Sequence, residues 1–529
     1  MNRVTSAPPG TPPAPSSTPG QTRPGGPSGP NVLYVRTIAF VVGSASLGAE
    51  ISAARLLAPY FGASTIIWAN TIATVLVALS AGYELGGRLA DRRVDLRGLC
   101  TIVTTAGVLL AVVPFAGDPF LRISAKALGT LSVGGFLGSL AAVLVLVAVP
   151  VLLLGTVAPY ANRLTLGSVT DTGTVTGRLY AISTAGSLVG TFASALLLIP
   201  LIGTHRTFLV FAIALTAVAV PGLGPRRFLV VPLAVASLLL IPPAAIGADV
   251  PGAKVTFETE TQYQYARVLQ FPSGIRWLQL NEGVAIHSIY DPRSYLVGGY
   301  WDDLLALPVA GVRGVPRRVA VLGDAAGTVA RGYGHYFPRT RVDAVELDGE
   351  LTTIGRRYFH LTGPRLHLYT ADARPWLEMS AAHYDAIFLD AYQQPYIPFY
   401  LVTREFFSIV RHHLLPGGVI IVNVGHIPGS DSLEKVVSAT LRAVFPVVMR
   451  DRVNATNSLV IASARPLSGA RITAAGLRGR LSPDLLPLGH EVAARLGPAL
   501  RGGSVYTDDR APVEWLTDLS ILHYATGKR

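Results

Sequence analysis

Cysteine and charged side chains are both scarce in this chain. Cys100 is the only cysteine, which excludes an internal disulfide and any zinc or iron–sulfur site built from cysteines. Charged residues make up 14% of the sequence against 50% hydrophobic residues, and the mean hydropathy is +0.44. A chain of 529 residues with so little charge is too apolar for an ordinary soluble enzyme, and the apolar excess lies before residue 250.

Acidic residues are outnumbered by basic ones, 32 to 44, and the formal net charge is +12. The arginines are scattered and no stripe of basic and aromatic residues is present, so nucleic acid is not expected as a partner. Arginine-rich loops of a membrane protein account for the charge more simply. The sequence also lacks a Gly-x-Ser-x-Gly element and a P-loop. None of the 11 histidines pairs with acids at metal-ligand spacing, so no metal site is predicted.

Long apolar segments fill the first half of the chain, after a proline-rich tail. Residues 1–31 are predicted to be a disordered tail, because proline, glycine and serine dominate and no apolar core of a signal peptide is present. Residues 32–249 are predicted to form a transmembrane helical domain, since their apolar segments have spanning length. About seven spans are expected, at 33–57, 64–87, 99–117, 134–160, 177–202, 205–222 and 227–247.

The basic loop at residues 88–97 predicts the orientation of these spans. It is the most basic loop between spans, and the positive-inside rule places it and the N-terminus in the cytoplasm. Seven spans would then leave the C-terminal half outside. A re-entrant segment, a missed span or a truly external domain would each resolve this conflict. A miscount is favoured, which makes the chain a multi-pass cell-membrane protein with a cytoplasmic C-terminal half.

Three ionisable residues lie within the first two predicted spans: Glu50, Arg55 and Glu84. Charged groups are costly inside a bilayer, so they are candidates for function by default. The alternative is that they pair with each other or reach the interface as structural residues, because Arg55 lies close to Pro59 near a span end.

The composition after Pro251 is that of a soluble domain. Residues 250–316 predict a small β-hairpin subdomain. Residues 317–465 alternate between buried strands and helices, which is typical of a Rossmann-like, methyltransferase-type doubly wound α/β domain. Residues 466–529 are interpreted as a C-terminal extension.

Acidic residues follow successive predicted strands of this domain, at the sheet edge where doubly wound folds bind a nucleoside. Glu346 ends the second strand and can accept hydrogen bonds from both ribose hydroxyls. Asp372 follows the third strand and can accept one from an adenine amine, with Ala373 keeping the pocket narrow. Asp390 ends a very apolar strand and can serve as general base toward an amine or hydroxyl nucleophile. Gly323, in the turn after the first strand, lets the backbone approach a ligand.

An ordered set of motifs over residues 254–463 resembles the spermidine synthases, which are polyamine aminopropyltransferases. The whole chain resembles the members of that family in which multispanning helices precede the enzyme domain. The elements Arg55–Gly62 and Gly87–Asp91 look like the membrane half of those members. The matching elements of the enzyme domain are Glu260–Gln264, Leu280–Gly283, Tyr300–Asp302, Leu322–Gly327, Val345–Asp348, Asp372–Ala373, Tyr384–Asp385, Asp390 and Thr403–Phe407.

The resemblance implies transfer of the aminopropyl group of decarboxylated S-adenosylmethionine, a co-substrate, to putrescine. The products would be spermidine and methylthioadenosine, with no permanently bound cofactor and with Asp390 as the base. Expected partners are small amines, the lipid bilayer and a second copy of the chain in a homodimer or higher homo-oligomer. The residues implied at the nucleoside are Gln264, Gly323, Glu346, Asp372, Ala373 and Pro398. Those implied at the amine substrate are Tyr300, Asp302, Asp324 and Gln393.

Two positions depart from the family pattern. Ala326 stands where the glycine-rich loop of the family carries its aspartate, with Asp324 two positions earlier, and Gln393 replaces the second acid of Asp-x-x-Asp. Because carboxylates hold a cationic amine, their loss predicts weaker polyamine binding beside an intact nucleoside site. Two alternatives stay open. One is transfer of another group, such as methyl, from S-adenosylmethionine to a less cationic acceptor; the other is a nonenzymatic transporter or sensor that binds an adenosyl ligand or a polyamine.

Overall fold

The computed structural model describes residues 31–61, 65–92, 94–128, 134–166, 172–241, 250–281, 285–393 and 396–525. The tail predicted for residues 1–31 lies outside these residues except for its last position. The first half of the described chain is helical, and the second half contains two β-sheets with helices packed around them.

The helical half buries one continuous apolar core, to which residues such as Val35, Leu99, Leu154 and Phe208 contribute. A π-helical segment, Ala193–Leu198, joins its sixth and seventh helices. The α-helices described here are α1 (Val32–Phe61), α2 (Thr65–Arg92), α3 (Leu96–Leu128), α4 (Gly134–Leu146), α5 (Ala148–Thr165), α6 (Thr172–Phe192), α7 (Ile199–Leu223) and α8 (Val230–Ser237).

Three helical runs within the described residues are long and apolar enough to cross a membrane. A fourth candidate exists if two helices bent by 53° at their junction, Leu137–Leu146 and Ala148–Thr165, form one span. The three runs are Val32–Tyr60, Leu96–Gly117 and Gly173–Leu223. The expected number of seven therefore stays a prediction.

Two of the expected spans, 177–202 and 205–222, fall within one helical run. Only a kink separates them, at Gly203, whose φ of 82° lies in the left-handed region that glycine adopts without a steric penalty. The expected span at 227–247 is described only as far as Ile241, as a 3-10 turn, the eight-residue α8 and a second short 3-10 turn. A hydropathy pattern reports apolar length, whereas the backbone break at Gly203 depends on tertiary contacts.

A four-stranded antiparallel sheet follows the helical half, in the order β1–β2–β3–β4. Side chains of its second and third strands, among them Val268 and Leu278, pack against Leu351 and Phe359 of the following domain. This contact holds the sheet beside the domain that forms the site. The strands are β1 (Lys254–Glu260), β2 (Tyr265–Gln270), β3 (Arg276–Leu280) and β4 (Ile286–Tyr290).

An eight-stranded sheet forms the centre of the C-terminal half. Its order is β12–β10–β11–β9–β8–β5–β6–β7; the five strands β9, β8, β5, β6 and β7 run parallel, and β11 and β10 extend the sheet in antiparallel fashion. The strands are β5 (Arg318–Leu322), β6 (Arg341–Glu346), β7 (Leu366–Thr370), β8 (Tyr384–Leu389), β9 (Leu414–Gly425), β10 (Val447–Arg452), β11 (Asn457–Ser463) and β12 (Gly497–Pro498).

Helices cover both faces of this sheet because its central strands are apolar on both sides. Val321 and Phe388 belong to the core on one face, and Leu322 and Leu389 to the core on the other. The prediction of a doubly wound α/β domain behind a helical region is confirmed. The helices are α9 (Tyr300–Ala306), α10 (Thr328–Tyr336), α11 (Gly349–Tyr358), α12 (Ala373–Met379), α13 (Arg404–His412), α14 (Ser432–Arg442), α15 (Gly469–Leu477), α16 (Leu486–Arg495) and α17 (Val513–Ala525).

Residues after 465, interpreted from sequence as an extension, contribute to the same core. Strand β12 pairs with β10, and Ile472 and Val492 pack in the apolar cluster on one face of the sheet. Arg495 forms ion pairs with Asp451 and Asp303, with N–O distances of 2.7 and 2.6 Å. The described residues after 465 are therefore part of the α/β unit.

Candidate functional site

A cavity of about 730 Å³ lies at the carboxyl ends of the parallel strands, and most of the predicted site residues line it. Parallel strands end at one edge of the sheet, which is why residues far apart in sequence meet there. The exception is Asp302. The predicted residues that line the cavity are Gln264, Tyr300, Gly323, Asp324, Glu346, Asp372, Ala373, Asp390, Gln393 and Pro398.

Asp390 lies at the end of β8, deep in this cavity. Its carboxylate accepts a hydrogen bond from Asn423 Nδ2 at 2.7 Å and another from the Tyr300 hydroxyl. Burial raises the pKa of Asp390 to about 7, against the effect of these two donors. A carboxyl with a pKa near neutrality can take a proton from a nucleophile at physiological pH.

Asn423 and Tyr392 hold Asp390 in place, and neither was identified as a site residue from sequence. The Tyr392 hydroxyl donates to the carbonyl of Asn423 at 2.9 Å and accepts from the N–H of Gly425 at 2.6 Å. Asn423 Oδ1 in turn accepts from Asn457 Nδ2 at 3.0 Å. The polar Asn423 inside the buried run of β9 was the available sequence signal, because a buried amide requires partners.

Asp324 presents a carboxylate to the cavity. Both of its oxygens are buried, and neither has a hydrogen-bond partner in the part of the chain that the structure describes. Burial, together with the nearby carboxylate of Glu346, raises the pKa of Asp324 well above its ordinary value, and the backbone N–H of Ala330, which does not form a hydrogen bond of good geometry with it, opposes that shift. An unpartnered buried carboxylate is costly in isolation and is suited to receiving a cationic group from a ligand.

Ala326, where the family pattern carries an aspartate, points away from the cavity. It is fully buried in the apolar cluster that includes Leu351 and Phe359. Its N–H donates to Ser288 Oγ at 2.9 Å, which ties the loop to β4. The carboxylate that this loop offers to a ligand is therefore that of Asp324, two positions earlier.

Gly323 has a structural role in addition to the one expected of it. Its φ is 89°, and a Cβ atom there would lie 2.6 Å from the backbone nitrogen and Cα of Ala391 and from the carbonyl oxygen of Asp390. Glycine is required because the ends of β5 and β8 approach each other, whether or not a ligand is bound. The residue lines the cavity and lets Asp390 lie close to the loop.

Glu346 is held by backbone N–H groups at the end of β6. Its Oε2 accepts from the N–H of Ala325 at 2.9 Å, and its Oε1 accepts from the N–H of Asp348 at 3.0 Å. Burial raises the pKa of Glu346, and these donors oppose that shift. The fixed carboxylate lies where a ribose would be held in a doubly wound fold.

Asp372 directly precedes α12, and both of its carboxylate oxygens accept hydrogen bonds. One carboxylate oxygen accepts from the N–H of Arg374 at 3.0 Å and so caps the helix, and the other accepts from the Tyr400 hydroxyl at 2.8 Å. Each oxygen keeps a lone pair for a further donor such as an exocyclic amine. Ala373 follows it in the lining, as expected from sequence.

Asp302 does not line the cavity, and its contact with the amine substrate stays a prediction that this geometry does not favour. Its two carboxylate oxygens accept from the N–H groups of Val297 and Gly298 at 3.0 and 2.8 Å. It therefore fixes the chain that leads into α9, the helix that carries Tyr300. An acid at the start of a short helix can face the cavity or the loop before the helix, and the motif alone does not distinguish these two orientations.

Gln393 and Pro398 lie on the loop that follows β8. Gln393 forms an isolated antiparallel bridge with Tyr396 and lines the cavity with its neighbour Tyr392. Pro398 also lines the cavity, just before a 3-10 turn. Gln394, the next residue of this loop, lies outside the described residues.

Gln264 reaches the cavity from the turn between β1 and β2, and this turn contacts the helical half. The Gln264 side chain hydrogen-bonds to Asp348, and Thr261 Oγ1 donates to Asp348 Oδ2 at 2.6 Å. Arg55 of α1 donates to the carbonyl of Thr261, and its Nε lies 3.8 Å from Glu260 Oε1. A residue of the first helix is thus two contacts from the cavity wall.

Glu260 also binds the kink of α7. Its Oε2 accepts from the N–H of Thr204 at 2.7 Å, and the Thr204 hydroxyl donates to its other oxygen. The N–H is available because the helix is interrupted at Gly203. Among the residues predicted in the helical half, Arg55 takes part in this junction, whereas Glu84 pairs with Arg88 at the surface.

Among the described residues, no group of three or more histidine, cysteine or acidic side chains is arranged to hold a metal ion. The five acids that line the cavity are Asp324, Glu346, Asp348, Asp372 and Asp390.

Comparisons with known proteins agree with the motifs. No family model matches the chain. It is 33% identical over 281 residues to a probable polyamine aminopropyl transferase of Bifidobacterium longum, covering 50% of this chain and 62% of that protein. It is 26% identical over 403 residues to a polyamine aminopropyltransferase of Mycobacterium tuberculosis, covering 71% of this chain and 74% of the relative. A solved structure of a probable spermidine synthase from Corynebacterium glutamicum is 20% identical, with a TM-score of 0.36, over 48% of this chain and 98% of that one.

The chain spans less than two thirds of the length of the first of these relatives. The match to the mycobacterial protein covers more residues than the α/β half contains, so it extends into the helical half. The relatives confirm the resemblance that the motifs predict: the chain is related to the polyamine aminopropyltransferases, which are transferases.

Proposed function

We propose that this protein transfers the aminopropyl group of decarboxylated S-adenosylmethionine to an amine. The observation that carries the proposal is the pair of buried carboxylates, Asp324 and Asp390, that face one cavity. One is suited to hold the cationic end of the donor and the other to take the proton of the acceptor.

The donor would lie along the ends of β5, β6 and β7. Glu346 would accept hydrogen bonds from the ribose hydroxyls and Asp372 one from the adenine amine, with Gln264 at the thioadenosine. Asp324 would pair with the ammonium of the aminopropyl group, whose positive charge would lower the pKa of this buried carboxyl and so ionise it on binding. S-adenosylmethionine carries a carboxylate next to this ammonium, and a buried acid at 324 would repel it. The decarboxylated donor is favoured for that reason.

The acceptor would enter beside Asp390 and Tyr300. The lone pair of its amine nitrogen attacks the propyl carbon bound to the sulfonium, a C–N bond forms, and the C–S bond breaks. The electron pair of that bond goes to sulfur, which leaves as the neutral thioether methylthioadenosine. The nitrogen loses one proton to Asp390, which passes it to water. Holding both reactants in one cavity lowers the entropic cost of their meeting.

The remaining parts of the proposal rest on the sequence and the resemblance. Residues 32–249 would form the membrane domain, with the α/β half on the cytoplasmic side, where the donor would be available. Residues 250–316 would be a β subdomain that contributes Gln264, and the protein would pair into a homodimer. Putrescine is the first acceptor to test.

Methyl transfer from S-adenosylmethionine is the second candidate, favoured by Gln393 in place of an acid at the amine substrate. Purified full-length protein in detergent, incubated separately with each donor and with a panel of primary amines, separates the two reactions. Release of methylthioadenosine, identified by mass, supports aminopropyl transfer. Release of S-adenosylhomocysteine supports methyl transfer, and release of neither nucleoside would overturn both.

A further inference from the structure

The order of strands in the central sheet divides the cavity into two chemically different halves. The ends of β7, β6, β5 and β8 carry its carboxylates, and this acidic half consists of Asp324, Glu346, Asp348, Asp372 and Asp390. Beyond β8 the sheet continues with β9 and β11, whose ends and flanking helices supply only uncharged groups to the described lining. This neutral half consists of Asn423, His426, Ser430, Asn454, Asn457 and Ser520.

The neutral half is connected to the base by hydrogen bonds between side chains. Asn457 donates to Asn423 at 3.0 Å, and Asn423 donates to Asp390 at 2.7 Å. Ser430 and Ser520 bond to each other at 2.9 Å across two helical segments. The part of the cavity next to Asp390, on the side away from the strand ends that would hold the nucleoside, is therefore lined by amides and hydroxyls.

The neutral half also contains an unused hydrogen-bonding atom. His426 Nδ1 is buried without a hydrogen-bond partner among the described residues, while Nε2 lies 3.3 Å from Ser458 Oγ. Burial lowers the pKa of His426; the carboxylate of Glu434 and the backbone of Ile427 oppose that shift, and Arg452 and Arg450 add to it. The neutral imidazole can thus offer one ring nitrogen to a ligand.

Among the described residues of this region, no carboxylate is left over to receive a cation. Glu434, the buried acid closest to His426, already pairs with Arg450 at 2.9 Å. A second ammonium entering the neutral half would lose its hydration without gaining a counter-ion. A hydroxyl or amide would instead find donors and acceptors already in place.

We propose that the acceptor is a primary amine whose far end is an uncharged hydrogen-bonding group, as in an amino alcohol, and not a diamine such as putrescine. The reacting amine lies at Asp390 and the uncharged end lies against Asn423, Asn457 and His426. This inference rests on the proposed aminopropyl transfer and specifies its acceptor.

The test compares two acceptors that differ only at the far end, 4-amino-1-butanol and putrescine. Initial rates of methylthioadenosine release are measured with the full-length protein at saturating decarboxylated S-adenosylmethionine. The expected result is a kcat/KM at least about tenfold higher for the amino alcohol, since a polar site rejects a mismatched end group. Equal rates, or faster turnover of putrescine, would overturn the inference while leaving aminopropyl transfer intact. Lack of methylthioadenosine with every amine would overturn the proposed function itself.

Two variants place a carboxylate in the neutral half. Asn454 accepts through Oδ1 from the N–H groups of Thr456 and Asn457, and Asn454→Asp keeps that acceptor, so its turn is retained. Asn457→Asp puts the charge next to Asn423. Both should shift the ratio of kcat/KM toward putrescine, by about tenfold for Asn457→Asp. Ser273→Asp adds the same charge at an exposed turn outside the cavity and should leave the ratio unchanged. An unchanged ratio in both cavity variants would count against the inference.

Discussion

The acidic and the neutral halves of the cavity lie along one sheet edge and differ in how they are built. The acidic half comes from the ends of parallel strands and the turns that follow them, and backbone N–H groups hold some of its carboxylates, such as that of Glu346. The neutral half comes from the end of β9 and from the antiparallel extension of the sheet, and it uses amides that bond to one another. Under the proposed function, donor and acceptor recognition would reside in separable parts of the fold, with Asp390 between them.

Substitution of Asp390 by asparagine breaks the link between the halves and should have the largest effect. Asparagine keeps the shape but cannot take a proton, so kcat should fall by about 100-fold to 10,000-fold. Equilibrium binding of decarboxylated S-adenosylmethionine, measured by calorimetry, should change little. Retention of full turnover in Asp390→Asn would remove the base from the mechanism, and a nonenzymatic binding protein would have no turnover to lose.

Substitution of Asp324 by asparagine affects the acidic half alone. The ammonium of the donor would lose its counter-ion, so KM for decarboxylated S-adenosylmethionine should rise by about tenfold to 100-fold. Affinity for S-adenosylmethionine should rise or stay level, because the repulsion of its carboxylate is removed. Asp291→Asn, at a turn outside the cavity lining where Asp291 accepts from the N–H of Arg293, is the control that should leave both affinities unchanged.

The pH dependence of kcat/KM reports the ionisation of Asp390, the carboxyl at the boundary of the two halves. Asp390 must be ionised to act as base, and with a pKa of about 7 its contribution to kcat/KM should increase as pH rises through 7 and then level off. Asn423→Leu removes a donor that stabilises the ionised form, so the pKa rises further and the rising limb moves to higher pH. At pH 7 and saturating acceptor, kcat of the variant should be lower by about threefold to tenfold and should converge with that of the wild type at high pH, whereas KM for the acceptor should be higher at every pH because Asn423 also lies against its uncharged end. An equal loss of kcat at every pH would mean that Asn423 has only a structural role.

Weakening the contact between the helical half and the acidic half of the cavity should have the smallest effect on kinetics. Arg55→Gln weakens the link to Glu260 and Thr261, and through Thr261 the position of Asp348. KM for the donor should rise by about twofold to fivefold, while KM for the acceptor stays constant. Glu260→Gln should behave similarly, and Glu258→Gln on the same strand, which bonds to Tyr265, is the matched control. A change in acceptor KM would indicate a general loss of structure.

The sequence allowed the acidic half to be predicted and gave little notice of the neutral half. Strand-end acids such as Glu346 and Asp390 follow apolar runs of strand length, and parallel strands of a doubly wound fold end at one edge, so their convergence follows from local patterns. Asn423 and Asn457 meet only because β9 and β11 pair antiparallel in one register, with Asn457 opposite Gly425. Such long-range pairing leaves no local signature.

The direction in which a side chain points was the second feature that could not be predicted from the sequence. Ala326 and Asp324 are two residues apart in one loop, yet one is packed in a core and the other faces the cavity, because Ala325 and Gly323 have positive φ angles of 47° and 89°. Asp302 faces its own preceding loop for a similarly local reason. In the helical half, apolar length was predictable, whereas the kink at Gly203 that receives Glu260 was not.

The most direct test of the account offers two donors and two acceptors to the full-length protein in one series: decarboxylated S-adenosylmethionine or S-adenosylmethionine, each with 4-amino-1-butanol or putrescine. Products are identified by mass. The account predicts that the decarboxylated donor with the amino alcohol is the fastest combination and yields methylthioadenosine with an amine heavier by one aminopropyl group. S-adenosylhomocysteine as the main nucleoside product would contradict the assignment of the acidic half, and faster reaction of putrescine would contradict that of the neutral half.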